Sequence, residues 1–405
     1  MIKLVAKVSP GVEPIPSIKF DQSNPSVFLT TTQKETGDLK LYASQTLDQI
    51  MKFPSMHLGP VAFIIASPKN KKQRIVGHER GYLKILAIDS LKVSAIYQID
   101  LQDGEYLTCG AYSPSGLNFA IGTSFGSIYL GMIKKDPYGG NKQHFCVAHV
   151  DKISKTTEHA VTSIQLTTFD PHGSLLAAFD NGDVRVWQST LQKDLFEKLI
   201  AMRQLGGKKS KKAMQMEISE MGQVQFDVID KFNLFDNPHG LEVFNEDDEE
   251  QINQLYQGRA HSDCEAIFAA GSSGVDHLFA RVGVLPYIFV RNYVSKQTVN
   301  KIVLENCFPT SLCVLDYYKL SMDADLPVTR GGLQAMCVVG TKEGKVLCYR
   351  VDATETKLLL KTRGGMMYGG VTALSTTDTG LNFLAATSSG EVFLYELLRN
   401  LIGLE

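Results

Sequence analysis

Hydrophobic and polar positions alternate with a period of two in short runs, and the runs are separated by Gly, Pro, Asn and Asp. That pattern predicts strands joined by tight turns. It is clearest over residues 158–188, EHAVTSIQLTTFDPHGSLLAAFDNGDVRVWQ. Val161 to Thr167 and Ser174 to Phe179 are extended runs around the turn Asp170-Pro171-His172-Gly173. Asp180-Asn181-Gly182 makes a second turn, because Asn and Gly tolerate the positive φ of short hairpins, and Val184 to Trp187 alternates as a third strand. Such a unit cannot bury both faces of its sheet alone and needs neighbours of its own kind.

The neighbours show through the second turn. Gly182 to Trp187 recurs from Gly37 to Tyr42, Gly81 to Leu86, Gly126 to Gly131, Gly344 to Tyr349 and Gly390 to Tyr395. A further copy from Gly283 to Val290 is out of step and carries Pro286, which a central ladder does not accept. From Gly37 to Gly390 these glycines are 44, 45, 56, 101, 61 and 46 residues apart. The shorter intervals match the roughly 40–45 residue period of a four-stranded propeller blade, and the longer ones imply insertions. The chain before Gly37 and after Gly390 together makes about one more interval, and Met1 to Val8 alternates like a strand that completes the last unit.

On these residues the chain resembles the WD40-repeat family. His159 before the first strand, Asp180 in the turn and Trp187 ending the third strand fall where that family keeps a hydrogen-bonded structural brace. Two departures are plain: Ala178 and Phe179 stand near the family's Ser or Thr, and Gln188 replaces the Asp of the Trp-Asp pair. The resemblance implies an all-β, seven-bladed WD40-like β-propeller with turn glycines Gly37, Gly81, Gly126, Gly182, Gly344 and Gly390. Residues 1–190 make blades one to four, with 1–8 closing the last blade, and residues 264–405 make blades five to seven.

Residues 191–263 break the rhythm and are expected as a partly helical, partly disordered insertion between blades four and five. Leu195, Phe196, Leu199, Ile200 and Met202 have near-helical spacing. A basic run with Lys208, Lys209, Lys211 and Lys212 follows, and later an acidic run from Glu246 to Glu250. Gly222 to Phe226 resembles a third strand without two strands before it.

Composition alters this picture little. The chain has 405 residues, 44% hydrophobic, with 34 Gly and a net charge of −2, which gives no general attraction to nucleic acid or anionic membrane. No apolar run reaches the roughly 18 residues of a membrane span. Seven cysteines without Cys-x-x-Cys spacing predict a reducing, cytoplasmic setting.

Three motifs suggest chemistry. Gly122-Thr-Ser124-Phe-Gly126 fits a nucleophile elbow, which needs a strand-to-helix turn, whereas two antiparallel strands are expected here. Gly340-Thr-Lys-Glu-Gly344-Lys345 is one residue short of a phosphate loop, and Val346 follows where a hydroxyl is needed. His144, Cys146 and His149 offer three metal ligands, but on a strand His149 points away from the other two. The expectation is therefore no enzyme, no catalytic residues, no cofactor, no metal and no small-molecule substrate.

What remains is a scaffold that docks other proteins in a multi-subunit complex, with the lysine run as a partner contact. Similarity to degenerate WD40 rings of cilia and flagella implies a cilium or cytoskeleton setting, with tubulin or axonemal proteins as partners. The alternative is a module recognising a modified or phosphorylated peptide at the central opening.

Overall fold

The structure is a computed structural model. It describes residues 2–9, 15, 18–20, 27–31, 39–44, 46–53, 57–67, 73–87, 92–113, 116, 118–135, 145–155, 159–166, 174–189, 226–233, 264–271, 274–282, 286–292, 297–316, 334–352, 356–361, 369–376 and 382–397. Among these residues every regular element is a strand, and the strands form seven antiparallel sheets of four.

Leaving aside β1 (Ile2–Val8), the strands pair in chain order. The first sheet holds β2 (Ile18–Phe20), β3 (Val27–Thr31), β4 (Leu39–Ala43) and β5 (Gln49–Phe53). The second holds β6 (Val61–Ala66), β7 (Gln73–His78), β8 (Tyr82–Ala87) and β9 (Lys92–Gln98). In the third are β10 (Leu107–Tyr112), β11 (Asn118–Thr123), β12 (Ser127–Lys135) and β13 (Phe145–Lys155). The fourth contains β14 (Val161–Leu166), β15 (Ser174–Phe179), β16 (Asp183–Ser189) and β17 (Phe226–Asn233). The fifth contains β18 (Cys264–Gly271), β19 (Gly274–Val282), β20 (Tyr287–Asn292) and β21 (Gln297–Val303). In the sixth are β22 (Pro309–Asp316), β23 (Gln334–Thr341), β24 (Val346–Asp352) and β25 (Thr356–Lys361). The seventh has β26 (Val371–Thr376), β27 (Asn382–Thr387) and β28 (Val392–Leu397). Its fourth place is taken by β1, which pairs antiparallel with β28 from Ile2 opposite Leu397 to Val8 opposite Val392.

The sequence expects one unbroken departure from the repeat over 191–263, between blades four and five. Phe226–Asn233 instead pairs with β16 from Ser189 opposite Phe226 to Asp183 opposite Asn233, so the first part of the departure falls inside the fourth sheet. Residues 226–233, FDVIDKFN, begin where the strand-like run from Gly222 to Phe226 ends, but they lie far from β16 in the chain, so the sequence does not show which strand they pair with. The helix expected over 191–205 and both charge runs lie outside the described residues.

The core lies between consecutive sheets. Each sheet buries apolar side chains on two faces, so the clusters draw on neighbouring pairs. Phe63, Ile75 and Ile85 of the second sheet pack with Phe119 and Ile121 of the third. Phe28 and Tyr42 of the first sheet pack with Leu384, Val392 and Leu394 of the seventh. The first strands follow the same order: β2 lies against β6, β6 against β10, β10 against β14, β14 against β18, β18 against β22, β22 against β26, and β26 against β2.

Two small devices recur at these junctions. Gly122 leaves room for Val161, whose side chain would come within 2.6 Å of an added Cβ, while the Thr108 hydroxyl donates to Val161 O at 2.6 Å. Gly340 leaves room for Val371 in the same way, and the Thr310 hydroxyl donates to Val371 O at 2.5 Å. The turn after the second strand also donates back to the residue just before the first. Glu79 N to Pro60 O, Ser124 N to Tyr106 O, Asp180 N to Ala160 O, Lys342 N to Phe308 O and Ser388 N to Gly370 O each measure 2.9 Å.

Candidate interaction surface

The expected brace is partly assembled. His159 Nδ1 and Asp180 Oδ1 are 3.0 Å apart on the surface, ahead of β14 and after β15. Trp187 is buried instead, packed with Val161, Leu175 and Phe179 and with Ile128 of the third sheet. The turn glycines Gly81, Gly126, Gly182, Gly344 and Gly390 all hold positive φ between 71° and 89°, the left-handed region that favours Gly. Gly37 and the lysines Lys208, Lys209, Lys211 and Lys212 lie outside the described residues.

The chemical motifs fall on hairpins. Ser124 sits in the turn between β11 and β12, and its Oγ accepts from Tyr106 N at 3.0 Å. Lys345 ends the turn before β24; its backbone N–H donates to Thr341 Oγ1 at 3.0 Å and its Nζ lies 3.3 Å from Cys307 Sγ. Cys146 and His149 lie on β13 opposite Lys134 and Met132, and His144 is outside the described residues.

A turn clamp repeats where the sequence was read only for its glycines. Thr123 Oγ1 accepts from Ser127 N, Thr341 Oγ1 from Lys345 N, and Thr387 Oγ1 from Glu391 N, all at 3.0–3.1 Å. The readable signal is Thr-x-x-Gly-x, in which the hydroxyl reaches four residues ahead across the turn. In the third sheet Thr123 also donates to Glu105 Oε1 at 2.6 Å. Burial alone raises the Glu105 pKa, but hydrogen bonds from Thr123 and the Gln102 backbone, with the Lys152 charge, outweigh it and hold the carboxyl below its usual range.

Large apolar side chains face solvent on several outermost strands. Val5, Ile50, Ile96, Val303 and Leu358 are exposed on β1, β5, β9, β21 and β25, the outermost strands of five sheets. Tyr106 and Phe308 are exposed immediately before β10 and β22, the first strands of the third and sixth sheets. A single exposed apolar residue needs no explanation, whereas here they recur on the outermost strands of five sheets. The outermost strands also each leave one edge without a neighbouring strand among the described residues.

Two clefts lie between neighbouring sheets. One, of about 410 Å³, is lined by Tyr97 and the connector after β9 on one side and by Tyr129 and Lys152 on the other. The second, of about 310 Å³, occupies the corresponding place between the fifth and sixth sheets, lined by Ile302, Glu305, Tyr349 and Leu358. Among the described residues no helix is long and apolar enough to cross a membrane. No protein-family profile and no curated protein sequence matches this chain.

Proposed function

We propose that this protein is a seven-bladed, WD40-like propeller that acts as a non-enzymatic docking scaffold within a multi-subunit assembly. The ring reading is supported by the order in which β2, β6, β10, β14, β18, β22 and β26 touch, with β26 returning to β2. It is also supported by the Phe28, Tyr42 and Leu394 cluster, which joins the first sheet to the seventh. In this reading β1 fastens the last blade to the chain's opposite end.

Docking is carried by one observation: exposed apolar side chains on the outermost strands of five sheets and at matched places ahead of two first strands. A rigid frame with apolar points on its rim suits several partners at once. The departures at 191–225 and 234–263 add partner-binding limbs on either side of β17, with Lys208, Lys209, Lys211 and Lys212 as contacts to an acidic surface. A cytoplasmic setting is part of this reading, and a cilium or the microtubule cytoskeleton, with tubulin or axonemal partners, is its narrower form.

Affinity purification of the tagged full chain from cells tests the scaffold. Stoichiometric partners are expected, and recovery of the protein alone would overturn it. Removing 191–224 while keeping β17 should leave folding intact and reduce the number of partners; an unchanged partner set would remove that limb from the proposal.

A further inference from the structure

We infer that the cleft between the second and third sheets binds a basic side chain, an arginine on an extended segment of a partner protein. The inference rests on the docking reading and names one of its sites.

The cleft offers both halves of a guanidinium site. Tyr97 of β9 and Tyr129 of β12 line opposite sides and supply aromatic surface, and Asp100 lines the cleft with an exposed carboxylate. A planar guanidinium stacks on aromatic rings and donates two hydrogen bonds to one carboxylate. The Tyr129 ring already meets a cation: Lys152 Nζ lies 5.5 Å from its centre.

Charge complementarity favours a cation over an anion. Asp100 is in the lining, Glu105 lies close enough for the Lys152 charge to act on it, and Asp103 is exposed in the same connector, whereas Lys152 is the one cation in the described lining. The field is felt at Tyr129: burial first, then the charges of Glu105 and Asp100, push its hydroxyl up to about 12. A volume of about 410 Å³ is ample for one long side chain and a little backbone. The corresponding cleft between the fifth and sixth sheets also sets an acid, Glu305, beside an aromatic, Tyr349, but carries Leu347 at the Tyr129 position, so the facing pair of tyrosines is what distinguishes the first cleft.

The test uses the full chain labelled with fluorotyrosine, its Tyr97 and Tyr129 signals assigned through Y97F and Y129F, titrated with a capped Gly-Gly-Arg-Gly-Gly peptide. Saturable shifts of both signals are expected, with no shift from the Gly-Gly-Glu-Gly-Gly peptide. Asp100→Asn should weaken binding at least fivefold; Asp100 is exposed, so the substitution leaves the core alone. Absence of a saturable shift, an equal response to both peptides, or unchanged binding in Asp100→Asn overturns the inference. Replacing Lys208, Lys209, Lys211 and Lys212 with Ser supplies a further arm. If that change alone moves the two tyrosine signals, the occupant is the chain's own lysine run and the partner assignment fails. Stoichiometric partners retained alongside a failed peptide titration would remove this cleft only, whereas loss of both would remove the docking reading.

Discussion

The hydroxyl of Thr372 donates to the carbonyl of Ile15 at 2.6 Å, joining the seventh sheet to the segment just before the first. Thr108 with Val161 and Thr310 with Val371 make the same kind of bond between consecutive sheets, so the junction between the chain's two ends uses the device found elsewhere. Thr372→Val keeps the shape and removes the donor. It should lower stability by about 1 kcal/mol, with Thr372→Ser near wild type, as read from urea midpoints.

Gly340 tests how closely the sheets must meet. An added Cβ would lie 2.4 Å from both Ser311 Oγ and Val371 Cγ1, far inside normal contact. Gly340→Ala should cost about 1–3 kcal/mol. Because Val371 is half of the clash, Val371→Ala should recover part of that loss in the double variant, and strict additivity would show that the contact is not the cause.

His78 sets an acid limit on stability. Its ring is buried, with Nδ1 2.9 Å from Gly59 O, and the carbonyl can only accept, so Nδ1 carries the proton. Desolvation, and secondarily the Lys84 charge, lower its pKa from 6.5 to about 4, against the raising effect of the Gly59 bond. Above pH 6.5 the ring is neutral whether folded or unfolded. Between 6.5 and about 4 the unfolded chain takes up a proton that the folded one refuses. Stability should fall across that window by about 3 kcal/mol and level off below it. Urea midpoints measured from neutral to acid pH check this slope, and His78→Asn should remove its His78 component.

Tyr106 and Phe308 separate docking from folding. Both are exposed, so replacing them together with Ser should shift stability by no more than about 0.5 kcal/mol. The same variant should lose partners in affinity purification. A variant that stays folded and keeps every partner would take these two side chains out of the interaction surface.

Desolvation makes two thiols slow to react, that of the buried Cys348 and that of the half-buried Cys109. Cys109 and Cys348 are both pushed up to about 12, first by desolvation, so neither forms thiolate near neutral pH. Alkylation at pH 8 should modify them only on unfolding, which mass spectrometry of the native and denatured protein would distinguish.

Most of the strand content is legible in the sequence because Gly-centred turns punctuate it. Gly126, Gly182 and Gly390 need positive φ, and the alternating residues beside them need one buried face. The outermost strands are harder to read. Lys92 to Gln98 and Gln49 to Phe53 are mostly exposed or half-buried and follow no glycine turn, so neither periodicity nor punctuation announces them. β17 is hidden by distance, since nothing local tells Phe226–Asn233 that its partner ended at Ser189. Of the brace, the His159–Asp180 pair matches a readable motif. The Thr123, Thr341 and Thr387 clamps needed the turn geometry to be seen, because a lone Thr carries many local roles.

The pairing of β1 with β28 has a kinetic consequence. Ile2 and Leu397 are roughly four hundred positions apart, so at ribosomal speeds of about 5–20 residues per second the opening segment waits roughly twenty to eighty seconds for its mate. During that wait its ladder groups are unsatisfied and available to chaperones or to a neighbouring nascent chain. Such distant closure predicts slow final maturation, late acquisition of protease resistance, and exchange of this segment between copies as the characteristic misfolding route.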